Sequence, residues 1–223
     1  MANFFVFKTG IHLWAFAFLL LLPVSFVQAQ NNWELKKDEN GIKVYTKDIP
    51  GSDFKEIKTT TSFNASLSSL VALLTDISSH KKWIYRCKES KLIRKVSNSE
   101  LYYYMETMVP WPASNRDGVL RFKFTQDSIT KVVTVSSVNV PDIMPELSGV
   151  VRVPKFKASW TFTPKSDGKV EAEYQLNVDP GGSVPAWIIN MFAVEGPYES
   201  LTNMKKILAE NKYESAKFDF IKN

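Results

Sequence analysis

The chain has 223 residues, a formal net charge of +5 and 44% hydrophobic residues. That length suits one domain and is enough to bury a sizeable core. A lone cysteine, Cys87, excludes an internal disulfide and a multi-cysteine metal site, and interspersed acids and bases read as a solvated surface, not a nucleic-acid face.

Residues 1–29 have the three parts of a secretory leader: one early cation, Lys8, an apolar run over residues 11–24 broken only by His12, and Val27-Gln28-Ala29 before a cleavage point. The apolar run is short of the ~20 residues that span a bilayer, and Pro23 interrupts its end. The expectation is an exported protein, periplasmic or secreted, with residues 30–212 as its one domain and 213–223 as a loosely ordered tail.

Residues 31–37 (NNWELKK) read as a short helix burying Trp33 and Leu35, followed by an Asn40-Gly41 turn. Residues 41–47 alternate Ile42, Val44 and Thr46 against polar neighbours, and residues 54–63 are rich in β-branched residues. Together they predict a hairpin across Pro50-Gly51. Leu67, Leu70, Val71 and Leu74 then fall at helical spacing with Asn64 or Ser66 as cap, and residues 78–85 make a second short helical turn. Strand signals follow at 89–96, 101–109, 119–126, 131–140, 153–163 and 169–178, joined mostly by tight turns, which predicts an antiparallel meander. Two connections are longer, 110–118 and 139–151, and long loops on a rigid scaffold often carry function. Residues 184–208 form a long amphipathic helix whose stripe runs through Trp187, Ile188, Met191, Val194, Tyr198, Leu201, Met204 and Leu208, with Pro197 expected to kink it.

The order of these elements, α+β with a sheet curled around a C-terminal helix, coincides with a series of local patterns. Trp33 precedes Asn40-Gly41-Ile42-Lys43-Val44-Tyr45. Asp76 to Trp83 reads DISSHKKW. Arg116-Asp117 follows a Pro-rich loop, and Trp160 and Phe162 precede Pro164. Asp179-Pro180-Gly181-Gly182 leads into Val184-Pro185-Ala186-Trp187. In this order, over about residues 33–208, they resemble the START (StAR-related lipid-transfer) family. The resemblance implies a helix-grip fold: a curved antiparallel sheet wrapped around the long C-terminal helix, enclosing a hydrophobic tunnel for one lipid, sterol or similar molecule. It implies no general cofactor and no general catalytic set. A monomer is expected, with a hydrophobic small molecule as partner, transient membrane-surface contact and no nucleic acid.

Strand alternation selects the candidate ligand wall. If Glu106 faces solvent, Tyr103, Met105 and Thr107 face inward, as do Leu120, Phe122 and Phe124 on the next strand. Phe156 and Trp160 share a face, Tyr174 lies on the following strand, and the helix offers Trp187, Met191, Val194 and Tyr198. Each of these residue types equally suits ordinary core packing. The resemblance also points to Glu89 and Arg116 as an acid–arginine pair inside the tunnel, the alternative being a surface or fold-stabilising pair. A tunnel pair predicts that Glu89→Gln or Arg116→Met lowers ligand affinity with the fold intact. Trp111, between two prolines in the loop PWPASN, is a rim residue that covers the tunnel mouth, touches a membrane or anchors the loop.

Other readings are an enzyme of the same superfamily, cyclase- or hydrolase-like, and an envelope protein-interaction subunit. The enzyme reading is weak. Outside the leader the only histidine is His80, in the charged turn Ser79-His80-Lys81-Lys82 where it reads as solvated, and no metal or phosphate motif is present.

Overall fold

The computed structural model describes residues 1–3 and 32–223. The leader expected over residues 1–29 lies almost wholly outside the described residues. From Asn32 to the end the chain is one compact unit.

Its first element is a strand, β1 (Glu34–Glu39), where the sequence predicts a helix. The Asn40-Gly41 turn decides the matter. Both residues have positive φ, 51° and 68°, the conformation of the tight turn that matches the right-handed twist of a hairpin. That turn folds β1 back onto β2 (Ile42–Asp48), pairing Glu39 with Ile42 and Glu34 with Thr46. Trp33 is then held from outside by the Lys47 and Lys58 ammonium groups over its ring, and Leu35 is exposed.

β3 (Lys55–Phe63) pairs with β2 as expected. α1 (Leu67–Thr75) starts at Ser66, whose side chain accepts from Ser69 N, and it buries Leu67, Leu70, Val71, Leu73 and Leu74. A single 3-10 turn leads into α2 (His80–Trp83). The meander follows as β4 (Cys87–Ser97), β5 (Glu100–Thr107), β6 (Asn115–Gln126) and β7 (Val133–Asn139). It continues as the short β8 (Val150–Arg152), β9 (Lys155–Pro164) and β10 (Val170–Asp179). The sheet order is β1-β2-β3-β10-β9-β7-β6-β5-β4, antiparallel throughout, with β8 added parallel to β6. This curved sheet wraps α3 (Ala186–Ala209), which packs against β2, β3, α1 and α2.

The expectation of a loose tail over 213–223 is corrected. Tyr213 and Ile221 are buried, and Phe218 and Phe220 pack against the core. Gln126 and the Lys222 backbone exchange two hydrogen bonds, and Asn223 accepts from Ser68 N. The Tyr213 hydroxyl donates to Asp76. Burial works against ionisation of Asp76, but hydrogen bonds from Lys212, Ser78 and Tyr213 outweigh it and hold its carboxyl at about 2. The tail's aromatic residues give it enough apolar surface to dock, which its polar residues obscure in the sequence.

His80 is also corrected, from solvated to fully buried. On one-turn α2 the Lys81 and Lys82 side chains point out, while His80 and Trp83 turn inward. The His80 ring packs edge-on against Trp83 and Tyr103 and donates from Nε2 to Leu74 O at 3.0 Å. Burial pushes its pKa down to about 4. The unfolded chain therefore binds a proton between about pH 6.5 and 4 that the folded chain refuses, so stability falls as pH falls through this window. Urea melts from pH 7.5 to 4 are expected to show a loss of up to about 3 kcal/mol. His80→Gln, though less stable throughout, should flatten that slope; an unchanged slope would place its origin elsewhere.

Candidate ligand-binding tunnel

Between the concave face of the sheet and α3 lies a cavity of about 280 Å³. It is at the lower end of the ~300–1,000 Å³ usual for small-molecule sites. It exists because the facing side chains are small. α3 offers Ala193, Gly196 and Ser200, and the sheet offers Gly118, Ser137 and Ala158. A Cβ on Gly196 would sit 3.5 Å from the Tyr85 ring, so a larger side chain there would fill space beside α2's exit.

Tyr103, Met105 and Thr107 from β5, Arg116, Leu120 and Phe122 from β6, Phe156 and Trp160 from β9, and Tyr174 from β10 all border the cavity. Trp160 is the centre of the aromatic wall, with its ring centroid 5.5 Å from Phe162 and 4.5 Å from Tyr174. Burial pushes the Tyr103 and Tyr174 phenols up, keeping them neutral donors. Ser137 Oγ is buried on the same wall and has no protein partner. The wall is therefore apolar with a few hydroxyls.

Seven expected site residues, Glu89 among them, lie elsewhere. On α3 the cavity is bordered by Ile188, Ile189, Phe192, Ala193, Gly196, Pro197, Ser200 and Leu201. Trp187, Met191, Val194 and Tyr198 occupy the opposite side of the helix, since residues 3–4 apart share a face. Trp187 is 53% exposed, and Tyr198 accepts from Asn40 Nδ2 under the Lys37 ammonium. Phe124 has the right alternation but sits deeper, against Phe122 and the tail's Phe220. Trp111 is 88% exposed on the loop after β5 and does not border the cavity.

Glu89 does not meet Arg116. A register shift between Cys87 and Glu89 re-aims β4, and Glu89 pairs with Lys91 at 2.8 Å on the surface. Arg116 is buried beside the cavity and is held by backbone instead, donating to Ser114 O at 2.6 Å, Gly181 O at 2.9 Å and Pro180 O at 3.3 Å. Burial without a carboxylate partner lowers its pKa. Gly181 is required at this contact: its φ is positive, and a Cβ would come 2.9 Å from Pro154 Cδ. Glu106 points away from the cavity as expected but is buried, not solvated, accepting from Asn115 Nδ2 and Lys88 Nζ.

The buried ion pair of this region is Asp117 with Arg152, joined through both carboxylate oxygens at 2.7 and 3.1 Å. Arg152 donates its remaining N–H groups to Pro141 O, Met144 O and Pro145 O. All five donors are used, so the guanidinium fastens the 140–149 loop to β6 and β8. The hydrogen bond from Arg152 to Asp117 holds the guanidinium pKa up. Cys87 is buried, and that burial pushes its thiol up to about 11, far from a reactive thiolate. Among the described residues no cluster of potential metal ligands occurs.

These observations define a lipid-binding fold, and comparison with known proteins identifies it. The START domain description matches residues 26–214, and the chain belongs to that family. Over 78% of its length it is 33% identical to a Pseudomonas aeruginosa protein, covering 85% of that relative. It is 31% identical to the phosphatidylcholine transfer protein of Rattus norvegicus, covering 78% of this chain and 83% of the other. The STAR-related lipid transfer protein of Xanthomonas axonopodis superimposes with a TM-score of 0.73 at 36% identity, covering 79% of this chain and 98% of that one. Human STARD10, at 20% identity and a TM-score of 0.70, shares the fold. The cavity is thus a START tunnel for a lipid or other hydrophobic ligand.

The expectation of an exported, periplasmic or secreted protein is corrected by the same comparisons, because START domains are typically cytosolic soluble proteins. No helix among the described residues is long and apolar enough to cross a membrane.

Removing one partner of a buried, hydrogen-bonded pair typically costs ~3–5 kcal/mol. Arg152→Met and Asp117→Asn are each expected to lower unfolding free energy by about that amount in urea titrations. Glu89→Gln, on the surface, should leave both stability and ligand affinity within error of the parent protein.

Proposed function

We propose that the protein carries a single lipid molecule, as a monomer, by holding its apolar body in the tunnel away from water. The observation that carries this reading is the apolar cavity left open between small residues of α3 and the sheet. A void of this size in a core is destabilising unless something fills it. Burial of the ligand's apolar surface supplies binding energy at roughly 25 cal/mol per Å².

The phosphatidylcholine transfer proteins of four mammals align with this chain at 30–32% identity, which makes a phospholipid the first ligand to test. Sterols are the second. Among the described residues the one carboxylate bordering the cavity is Asp117, which Arg152 already neutralises. A cationic headgroup would find no counter-ion there, so the ligand's apolar body is the part that fits the interior. Ser137 Oγ and the Tyr103 and Tyr174 hydroxyls, all on residues of the cavity wall, would supply hydrogen bonds to a carbonyl or hydroxyl of that body. Trp111, exposed on the loop beside Arg116's end of the tunnel, suits contact with a bilayer interface during exchange.

Native mass spectrometry of the purified protein, followed by extraction, tests the reading. The expected result is a monomer with one lipid per chain. A bare mass, with no binding across phospholipid and sterol panels, would remove the carrier function. Ala193→Phe, which fills the cavity from α3, should reduce occupancy at least fivefold. Trp111→Ala should keep occupancy and slow exchange with vesicles.

A further inference from the structure

The chain's charge is not spread evenly. Residues 81–95 contain seven lysines and arginines and one acid, Glu89, a local charge of +6 against +5 for the whole chain. Everything else taken together is close to neutral. The structure gathers these cations on α2 and on β4, the outermost strand at one edge of the sheet.

The nearby acids neutralise only two of them. Lys91 pairs with Glu89 at 2.8 Å, and Lys88 reaches the buried Glu106 at 3.0 Å. Among the described residues, Lys81, Lys82, Arg86, Arg94 and Lys95 have no carboxylate within ion-pair distance, and all but Arg86 are exposed. The same strand leaves Leu92, Ile93 and Val96 exposed among the cations.

Cations interleaved with bare aliphatic side chains fit a surface that is negative outside and apolar just beneath. Sugar-phosphate backbones offer nothing to the aliphatic groups. A partner strand is disfavoured too, because β4 carries three register shifts along its length, which disrupt the regular ladder such pairing needs. We propose that the α2–β4 edge is a docking surface for an anionic bilayer, with its cations among the headgroups and Leu92, Ile93 and Val96 at the acyl boundary. The inference rests on the lipid-carrier reading for its purpose. Met108 N donates to Arg86 O at 2.8 Å, so this edge adjoins the loop that bears Trp111. A bilayer held there lies beside Tyr85 and Thr107, which border the cavity.

The test is sedimentation of the full chain with phosphatidylcholine vesicles, with and without about 30 mol% phosphatidylglycerol. Binding to the anionic vesicles should be at least about tenfold stronger and should disappear as salt rises to about 0.5 M. Arg94→Glu with Lys95→Glu should abolish the preference. Lys157→Glu with Lys217→Glu, the same charge change at exposed sites elsewhere, should keep it. Equal binding to both vesicle types, or equal losses in both variants, would overturn the docking surface. A filled tunnel by native mass spectrometry together with no binding to anionic vesicles would also overturn it, and would point to an acidic protein partner. An empty tunnel with intact anionic binding would support the surface while sinking the carrier reading.

Discussion

The structure depends on keeping space open inside a core that would otherwise close. Protein interiors pack as densely as organic crystals, and a cavity typically costs about 24 cal/mol per Å³. The 280 Å³ space here is partly open to solvent, so it costs less than a sealed void of that volume would, but its apolar walls still forfeit packing contacts. The empty form can persist only if its walls resist collapse. Here the walls are a continuous hydrogen-bonded sheet and one long helix, and a rigid sheet and helix do not deform easily to fill the space between them. A ligand that fills the space recovers much of that cost, so occupancy and stability are the same quantity seen from two sides.

The rim is held by a different device. Arg116 and Arg152 both use their guanidinium forks on backbone carbonyls, the first fastening the turn before α3 and the second the 140–149 loop. Backbone carbonyls in loops lack ladder partners, and burying them unpaired would be costly. An arginine satisfies several at once while fixing the loop's position. Arg152 is compensated by Asp117, whereas Arg116 has dipoles alone. The strongest electrostatic groups thus shape the entrance, and the interior remains almost free of charge.

The large apolar residues made the sheet legible in the sequence. Tyr103, Leu120, Phe122, Trp160 and Tyr174 alternate with polar neighbours, and alternation gives the face directly. The helix misled for the converse reason. A hydrophobic stripe draws the eye to Trp187, Met191 and Val194, but the cavity-facing side of the helix also carries small residues, Ala193, Gly196 and Ser200, beside Ile188 and Phe192. Space leaves no strong mark in a sequence. Glu89 was misplaced because a bulge in β4 re-aims its side chains, and a bulge follows from pairing, which only the folded sheet specifies. Phe124 shows a third limit: its face was right, but Phe220, nearly a hundred residues away, fills the space beneath it. The short terminal strand β1 was lost to a local helix signal that the Asn40-Gly41 turn overrides.

Moving a lipid from a bilayer into this tunnel exchanges one apolar environment for another. The hydrophobic term that would hold the ligand against water nearly cancels in that exchange. What remains is the filling of the void, a few hydroxyl contacts, and the barrier to passing the rim. A carrier that also buried a large apolar surface in the bilayer would then be slow to leave it. Attachment through exposed cations avoids this, because such contacts are screened beyond about 10 Å in ordinary salt and fall away as soon as the protein lifts. A mostly apolar interior and a cationic edge would therefore be complementary: one would make the ligand's choice between membrane and protein nearly even, and the other would let the protein visit the membrane without staying.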